Sequence, residues 1–215
     1  MERTPTTLDT HELTDELCPY SITELWATLR RPGRLVSLLL VDRDRLGLTI
    51  AREHRLPALA LLLIAGTALL ALPLGAVFAP TRPFRVAVLL LGSLAICLPS
   101  LQIFSAYLGA RLRPAQTLSL ALTMTAVAAL FTFAFAPIAW FLDLTMRGAP
   151  LVTSRAMTLV LLGASIIFGL RHLVRLLRTD GNLRALGLPA APVLLAWQAL
   201  FAFICFRMAG LLQLL

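Results

Sequence analysis

One apolar run of the sequence contains three residues that could form a binding site inside a membrane. Pro99 has no backbone N–H to donate to the carbonyl of Ala95, four residues earlier in a helix. Ser100 and Gln102 place a hydroxyl and an amide close to that carbonyl. Interrupted helices frame substrate sites in some transporters, whereas most internal prolines only bend a helix. From the sequence, Pro99 can mark either a substrate site or only a bend in the helix.

Two charged residues are candidates for an ion pair inside the membrane, where ionisable groups are costly and usually functional. Asp143 follows the third long apolar run, and Arg207 lies about two helical turns before the end of the last run. In the five-span topology both residues lie near the outer boundary of the membrane, and one hypothesis is that the two side chains, at this common depth, pair across neighbouring helices. The alternative is that Arg207 extends to lipid headgroups, while Asp143 is solvated or meets Arg147.

Histidines and cysteines show no spacing typical of a metal, haem or disulfide site. The sequence has three of each, at His11, His54, His172, Cys18, Cys97 and Cys205. We interpret Cys97 and Cys205 as small packing residues of apolar helices. The sequence also lacks a phosphate-binding loop, a nucleophile elbow and a zinc-protease motif. It therefore predicts no catalytic residue, no cofactor and no metal site.

The composition indicates an all-α membrane protein. Of the 215 residues, 59% are hydrophobic and 14% are charged, whereas about a quarter of the residues in a soluble domain carry charge. A chain inside hydrocarbon must satisfy its own backbone hydrogen bonds, and runs rich in Leu and Ala favour helices over the strands of a barrel. The net charge of +8 comes from arginines in short loops at helix ends, so no nucleic-acid partner is expected.

Five apolar runs are long enough to cross the ~30 Å hydrocarbon core of a bilayer. They predict a five-helix transmembrane domain over residues 56–215, with spans at about 56–78, 84–108, 116–142, 152–177 and 189–215. The arginines near the ends of the spans give the orientation through the positive-inside rule. With the N-terminus in the cytoplasm, ten arginines lie on the inner side against four on the outer side, so the C-terminus is expected to be extracytoplasmic.

The first 55 residues are more polar than the rest. Residues 1–20 are acidic and typical of a cytosolic tail. Residues 21–55 predict amphipathic interfacial helices, the first of which begins at a capping box formed by Ser21 and Glu24. Their apolar faces could lie in the headgroup layer, pack against the bundle or bind a soluble partner.

Three stretches carry a family resemblance. They are Leu29-Arg-Arg-Pro-Gly33, the hairpin Cys97-Leu-Pro-Ser-Leu-Gln-Ile-Phe-Ser-Ala-Tyr-Leu-Gly-Ala-Arg-Leu112, and the last span with Trp197. Together they resemble the bacterial Yip1-like membrane proteins. The resemblance implies five spans and a cytoplasmic N-terminal region in the bacterial inner membrane. It implies no catalytic or cofactor residue, because bacterial members have no established activity, while eukaryotic relatives act in vesicle trafficking through protein contacts.

The sequence therefore predicts a non-catalytic accessory, scaffold or assembly subunit of a larger membrane complex. Its expected partners are the lipid bilayer and either other membrane proteins or further copies of the same chain. The alternative function is that of a small transporter or channel, which would use the second span, broken at Pro99, as its pathway.

Overall fold

The computed structural model describes residues 32–51, 56–78, 81–107, 113–145, 151–179 and 191–212, together with residue 27. Within these ranges the regular elements are all helices: α1 Pro32–Leu40, α2 Arg43–Ala51, α3 Leu56–Phe78, α4 Arg85–Tyr107, α5 Pro114–Thr145, α6 Leu151–Thr179 and α7 Ala191–Leu211. The all-α prediction is confirmed for this part of the chain. The predicted tail 1–20 and the capping box at Ser21 and Glu24 lie outside the described residues.

Helices α3, α4 and α5 are each long and apolar enough to cross a membrane. They coincide with the first three predicted spans, and α5 extends past the predicted range 116–142 at both ends. Helices α6 and α7 occupy the places of the fourth and fifth predicted spans, but the apolar part described in α7 is the shorter segment Ala199–Leu211. The membrane-helix prediction holds for three helices, and the total of five spans stays a prediction.

Internal prolines do not end the helices that contain them. Helix α3 continues through Pro73, α4 through Pro99 and α5 through Pro137. A proline removes one backbone donor, while the hydrogen bonds on either side can still hold the helix together. The interruption expected at Pro99 is therefore a single missing hydrogen bond within one helix, and α4 is not split into two half-helices.

Helix α5 is the centre of the bundle. Every residue from Ser119 to Leu130 is buried, as expected for a helix that is apolar on all sides. Its most extensive packing is against α3 and α6, and α4 adds a further contact. Helix α7 is more peripheral, because it packs mainly on α4 and only slightly on α6.

The outer surface of the helices is apolar, unlike that of a protein dissolved in water. Large apolar groups are exposed, among them Ile103 at 67%, Val160 at 65% and Trp140 at 59%, whereas Thr123 and Thr132 are fully buried. In water this arrangement would be costly, since apolar surface would stay hydrated. In a bilayer it is favourable, because lipid covers the apolar side chains and small hydroxyl residues let helices approach closely.

The two N-terminal helices pack against the bundle. Leu35 and Leu39 on α1 and Leu46 and Ile50 on α2 are buried in the same apolar core as the long helices. Leu35 fits into the space left by a glycine in the middle of α3, where a Cβ on Gly66 would lie 2.8 Å from the Leu35 Cδ1 atom. Four large apolar side chains of α1 and α2 thus pack within the protein, while Leu40 and Val41 are exposed.

Gln116 joins this N-terminal pair to the start of α5. Its Nε2 group donates a hydrogen bond of 3.2 Å to the carbonyl oxygen of Ile50, and its Oε1 atom accepts one of 3.0 Å from the backbone N–H of Arg113. The side chain is 2% exposed. One buried amide therefore satisfies a backbone group near the end of α2 and another just before the start of α5.

Candidate functional site between helices α4 and α7

The carbonyl that Pro99 leaves without a helical donor lies on the outward face of α4. Pro99 is exposed, and so is Ala95, the residue whose carbonyl loses its helical donor. The two lie four residues apart and therefore share one face of the helix. The face of α4 that carries the missing hydrogen bond points out of the described bundle.

Ser100 and Gln102 are partly buried, and they differ in how their polar groups are used. The Ser100 hydroxyl donates a hydrogen bond of 2.7 Å to the carbonyl oxygen of Cys97. The Oε1 atom of Gln102 is buried and has no hydrogen-bond partner among the described residues. The hydroxyl is thus used within α4, whereas the Gln102 amide oxygen is the one group of the predicted trio that is unsatisfied.

Trp197 makes a specific contact between α7 and α4 that sequence reasoning did not predict. Its Nε1–H donates a hydrogen bond of 3.1 Å to the carbonyl oxygen of Cys97, which also accepts from Ser100. The indole ring is 2% exposed and stacks on Phe201, with the ring centroids 5.7 Å apart. A buried indole needs an acceptor, and the proline-containing segment of α4 supplies it.

A second polar contact joins α4 and α7. The Ser93 hydroxyl donates a hydrogen bond to the Met208 Sδ atom at 3.7 Å. Cys97 on α4 and Cys205 on α7 are both buried in the apolar core, in agreement with the interpretation of these cysteines as small packing residues.

The predicted pair of Asp143 and Arg207 is not brought together. Both side chains are exposed, and the structure shows no ion pair between them. Helix α5, which carries Asp143, shares no extensive contact with α7, which carries Arg207, because α7 packs mainly on α4. Of the two hypotheses drawn from the sequence, extension of Arg207 towards lipid headgroups is the one that agrees with this geometry.

Hydroxyl groups elsewhere in the interior bond to their own helices. The buried hydroxyls of Thr67, Thr123 and Ser165 donate to the carbonyl oxygens four residues earlier at 2.7, 2.8 and 2.9 Å. Thr132 donates to the carbonyl oxygen of Ala129 at 2.6 Å. A hydroxyl that is used in this way leaves the facing helices free to pack closely and offers no donor to a substrate.

The structure thus defines a helical protein with three apolar helices long enough to cross a membrane and a hydrogen-bonded contact between α4 and α7. Within the described ranges, no group of three or more His, Cys, Asp or Glu side chains gathers to hold a metal ion. Comparison with known proteins finds no matching family model, no matching curated protein and no matching solved structure. The resemblance to the Yip1-like family therefore stays a prediction.

Replacing Trp197 with phenylalanine is expected to lower the free energy of unfolding by about 0.5 to 1.5 kcal/mol, the usual worth of one hydrogen bond. The smaller phenyl ring can still stack on Phe201, but the Cys97 carbonyl keeps only Ser100 as a side-chain donor. Thermal unfolding in detergent measures the change. Trp140→Phe is the matched control, since Trp140 is 59% exposed and makes no such contact among the described residues. Equal losses in both variants would contradict the role of the Trp197 hydrogen bond.

Proposed function

We propose that this protein is a non-catalytic integral membrane protein that serves as an accessory, scaffold or assembly subunit of a larger membrane complex. The observation that carries the proposal is the use of interior polar groups. Thr67, Thr123 and Ser165 are fully buried, and each bonds to a carbonyl of its own helix. Such an interior holds helices together and provides few groups for binding or transforming a substrate.

The outer surface of the described helices provides the area that a partner would use. Phe203 and Phe206 on α7 are 61% and 52% exposed, and Ile103 and Phe104 on α4 are 67% and 46% exposed. Lipid can cover these side chains, and so can the helices of another subunit through van der Waals packing. The proposed partners are accordingly other membrane proteins or further copies of this chain, and the resemblance to Yip1-like proteins agrees with a role in protein contacts.

Purification from native membranes in a mild detergent tests the proposal. We expect the tagged full-length chain to elute as a complex with a partner at fixed stoichiometry, or as a defined oligomer, when mass is measured by light scattering and native mass spectrometry. Elution as a monodisperse monomer in several mild detergents and in lipid nanodiscs would contradict it. A tagged, unrelated membrane protein from the same preparation controls for nonspecific association.

The second candidate function is that of a small transporter or channel. The observation that favours it is the Oε1 atom of Gln102, which is buried on α4 and has no hydrogen-bond partner among the described residues. A buried amide without a partner is costly in a low-dielectric interior, and a substrate or ion could satisfy it. The outward position of Pro99 and the engaged hydroxyl of Ser100 favour the accessory role.

The proposed location is a bacterial inner membrane, with five spans, the N-terminus in the cytoplasm and the C-terminus outside. A reporter fused after Leu215 is expected to be active on the extracytoplasmic side, and one inserted at Asn182 on the cytoplasmic side, because arginines are concentrated at the inner ends of the spans. Paired reporters that are active on opposite sides of the membrane measure this. The reverse pattern would disprove the orientation, and the same side for both would disprove a span between them.

A further inference from the structure

We propose that one exposed stripe of helix α6 binds an anionic phospholipid, with two arginines on the phosphate and apolar side chains along an acyl chain. The stripe consists of Val160, Ile167, Phe168, Arg171 and Arg175. This inference goes beyond the assembly role and rests on the proposed membrane location. It applies equally to an accessory subunit and to a transporter.

The five residues of the stripe share one face of α6. Val160, Ile167 and Arg171 follow each other at intervals of seven and four residues, and Phe168 and Arg175 are again seven residues apart, which places them all on one side of a helix. The exposed fractions are 65% for Val160, 55% for Ile167 and 42% for Phe168. Both arginine side chains are exposed as well. An outward-facing apolar surface therefore continues directly into two guanidinium groups.

Close packing of α6 on α5 fixes the depth of the two arginines. A Cβ on Gly169 would lie 2.8 Å from the carbonyl oxygen of Met124 and 3.1 Å from the Cβ of Ala128. The two helices are joined by a short connection and pack extensively on each other, so they run antiparallel. Arg175 follows Gly169 by six residues, which brings it level with about residues 118–122, near the start of α5.

This level corresponds to the edge of the hydrocarbon. Helix α5 has 32 residues, so it is about 48 Å long, whereas the hydrocarbon core is about 30 Å thick. With α5 centred in the bilayer, roughly six residues extend beyond the hydrocarbon at each end. Arg175 then lies at the boundary and Arg171 one turn deeper, from where its long side chain reaches outward. Both guanidinium groups meet the layer of the lipid phosphates.

The charges around the stripe favour an anionic lipid. Helix α6 contains no Asp or Glu from Leu151 to Thr179, and the one acidic residue of α5, Asp143, lies near the opposite end. Helix α2, which also contacts α6, carries two arginines and one aspartate. Arginine donates charge-assisted hydrogen bonds to phosphate oxygens, so two arginines one turn apart can hold one phosphodiester. Phosphatidylglycerol has the required net charge, whereas the choline of phosphatidylcholine cancels it.

Native mass spectrometry of the delipidated full-length chain in a nonionic detergent tests the proposal. The first phosphatidylglycerol is expected to bind at least about tenfold more tightly than phosphatidylcholine with the same acyl chains. Excess soluble glycerol phosphate is expected to leave the lipid bound, because it has no acyl chain. Equal affinities for the two lipids, or displacement by glycerol phosphate, would overturn the proposal. Lipid binding is measured on a monomer and on a complex alike, so its failure is distinct from failure of the assembly role.

Two double variants locate the phosphate contact. Arg171→Gln combined with Arg175→Gln is expected to weaken phosphatidylglycerol binding at least about tenfold, because both charged donors are lost. Arg82→Gln combined with Arg207→Gln is the matched control, since it removes the same net charge from two other exposed arginines. Its affinity is expected to equal that of the parent. Equal affinities of the two double variants, measured on protein that elutes like the parent, would overturn the proposal.

A pair of isoleucine substitutions locates the acyl chain. Ile167→Ser places a hydroxyl on the apolar part of the stripe and is expected to weaken phosphatidylglycerol binding about threefold or more. Ile96→Ser is the matched control, because Ile96 on α4 is 56% exposed and Ile167 is 55% exposed. The control is expected to bind like the parent. Equal affinities of these two variants would overturn the placement of the acyl chain on α6.

Discussion

Alanine at position 75 is expected to destabilise the protein by about 3 kcal/mol, at the upper end of the range for overpacking. A Cβ on Gly75 would overlap the carbonyl oxygen of Pro83 and lie 2.8 Å from its carbonyl carbon. Both are backbone atoms, so no side-chain rotation can relieve the overlap. The chain just before α4 would have to move away from the last turns of α3, and the two helices would lose part of their contact.

Thermal unfolding of Gly75→Ala in detergent, compared with Gly210→Ala, measures this effect. A Cβ on Gly210 meets nothing within 4 Å among the described atoms. That control is expected to change stability by less than about 1 kcal/mol, since alanine only favours the helix slightly. A Gly75→Ala variant as stable as the Gly210→Ala variant would show that the chain does not pass this close to α3.

The second large effect is expected at the contact between α5 and α6. A Cβ on Gly169 would lie 2.8 Å from the carbonyl oxygen of Met124 and 3.1 Å from the Cβ of Ala128. Alanine there would separate two helices that form one of the largest contacts in the bundle, and we expect a loss of about 1 to 3 kcal/mol. Leucine at position 169 is expected to cost more and to reduce the yield of folded protein.

Gly163 provides a control on the same helix. A Cβ at Gly163 meets nothing within 4 Å among the described atoms, so Gly163→Ala is expected to raise stability by up to about 1 kcal/mol through helix propensity alone. The two substitutions are chemically identical, and the expected changes have opposite signs. If both variants gain or both lose stability in the same unfolding assay, the close approach of α6 to α5 at Gly169 is wrong.

The sequence was informative where one helix could be considered by itself. Apolar runs longer than a bilayer is thick predicted α3, α4 and α5 close to their observed bounds, because length and hydropathy are local properties. Whether the helix continues through Pro99 was harder to predict from the sequence. The proline removes one backbone donor, but the hydrogen bonds of the residues around it decide whether the helix ends. The structure shows that the helix continues to Tyr107.

Contacts between helices could not be predicted in the same way. Trp197 and the Cys97 carbonyl are separated by 100 residues, and no spacing in the sequence links them. The pairing of Asp143 with Arg207 was inferred from a common depth in the membrane. Depth does not say which helices are neighbours, and the packing of α7 on α4 separates the two charges. The contact of Ser93 with Met208 was missed for the same reason, because two residues on distant helices form no recognisable motif.

If the protein has the proposed accessory role, the polar groups around Pro99 serve packing and assembly and do not line a path for water or ions. Labelling with a membrane-impermeant, water-soluble maleimide distinguishes these two cases. In a Cys18→Ser background, Ser100→Cys and Gln102→Cys are compared with Arg113→Cys, an exposed position just before α5. Native Cys97 and Cys205 are buried and are expected to stay unlabelled. In open membrane fragments we expect rapid labelling at position 113 and none at positions 100 and 102. Labelling of Gln102→Cys as fast as that of Arg113→Cys would contradict the account and favour a transport pathway along α4.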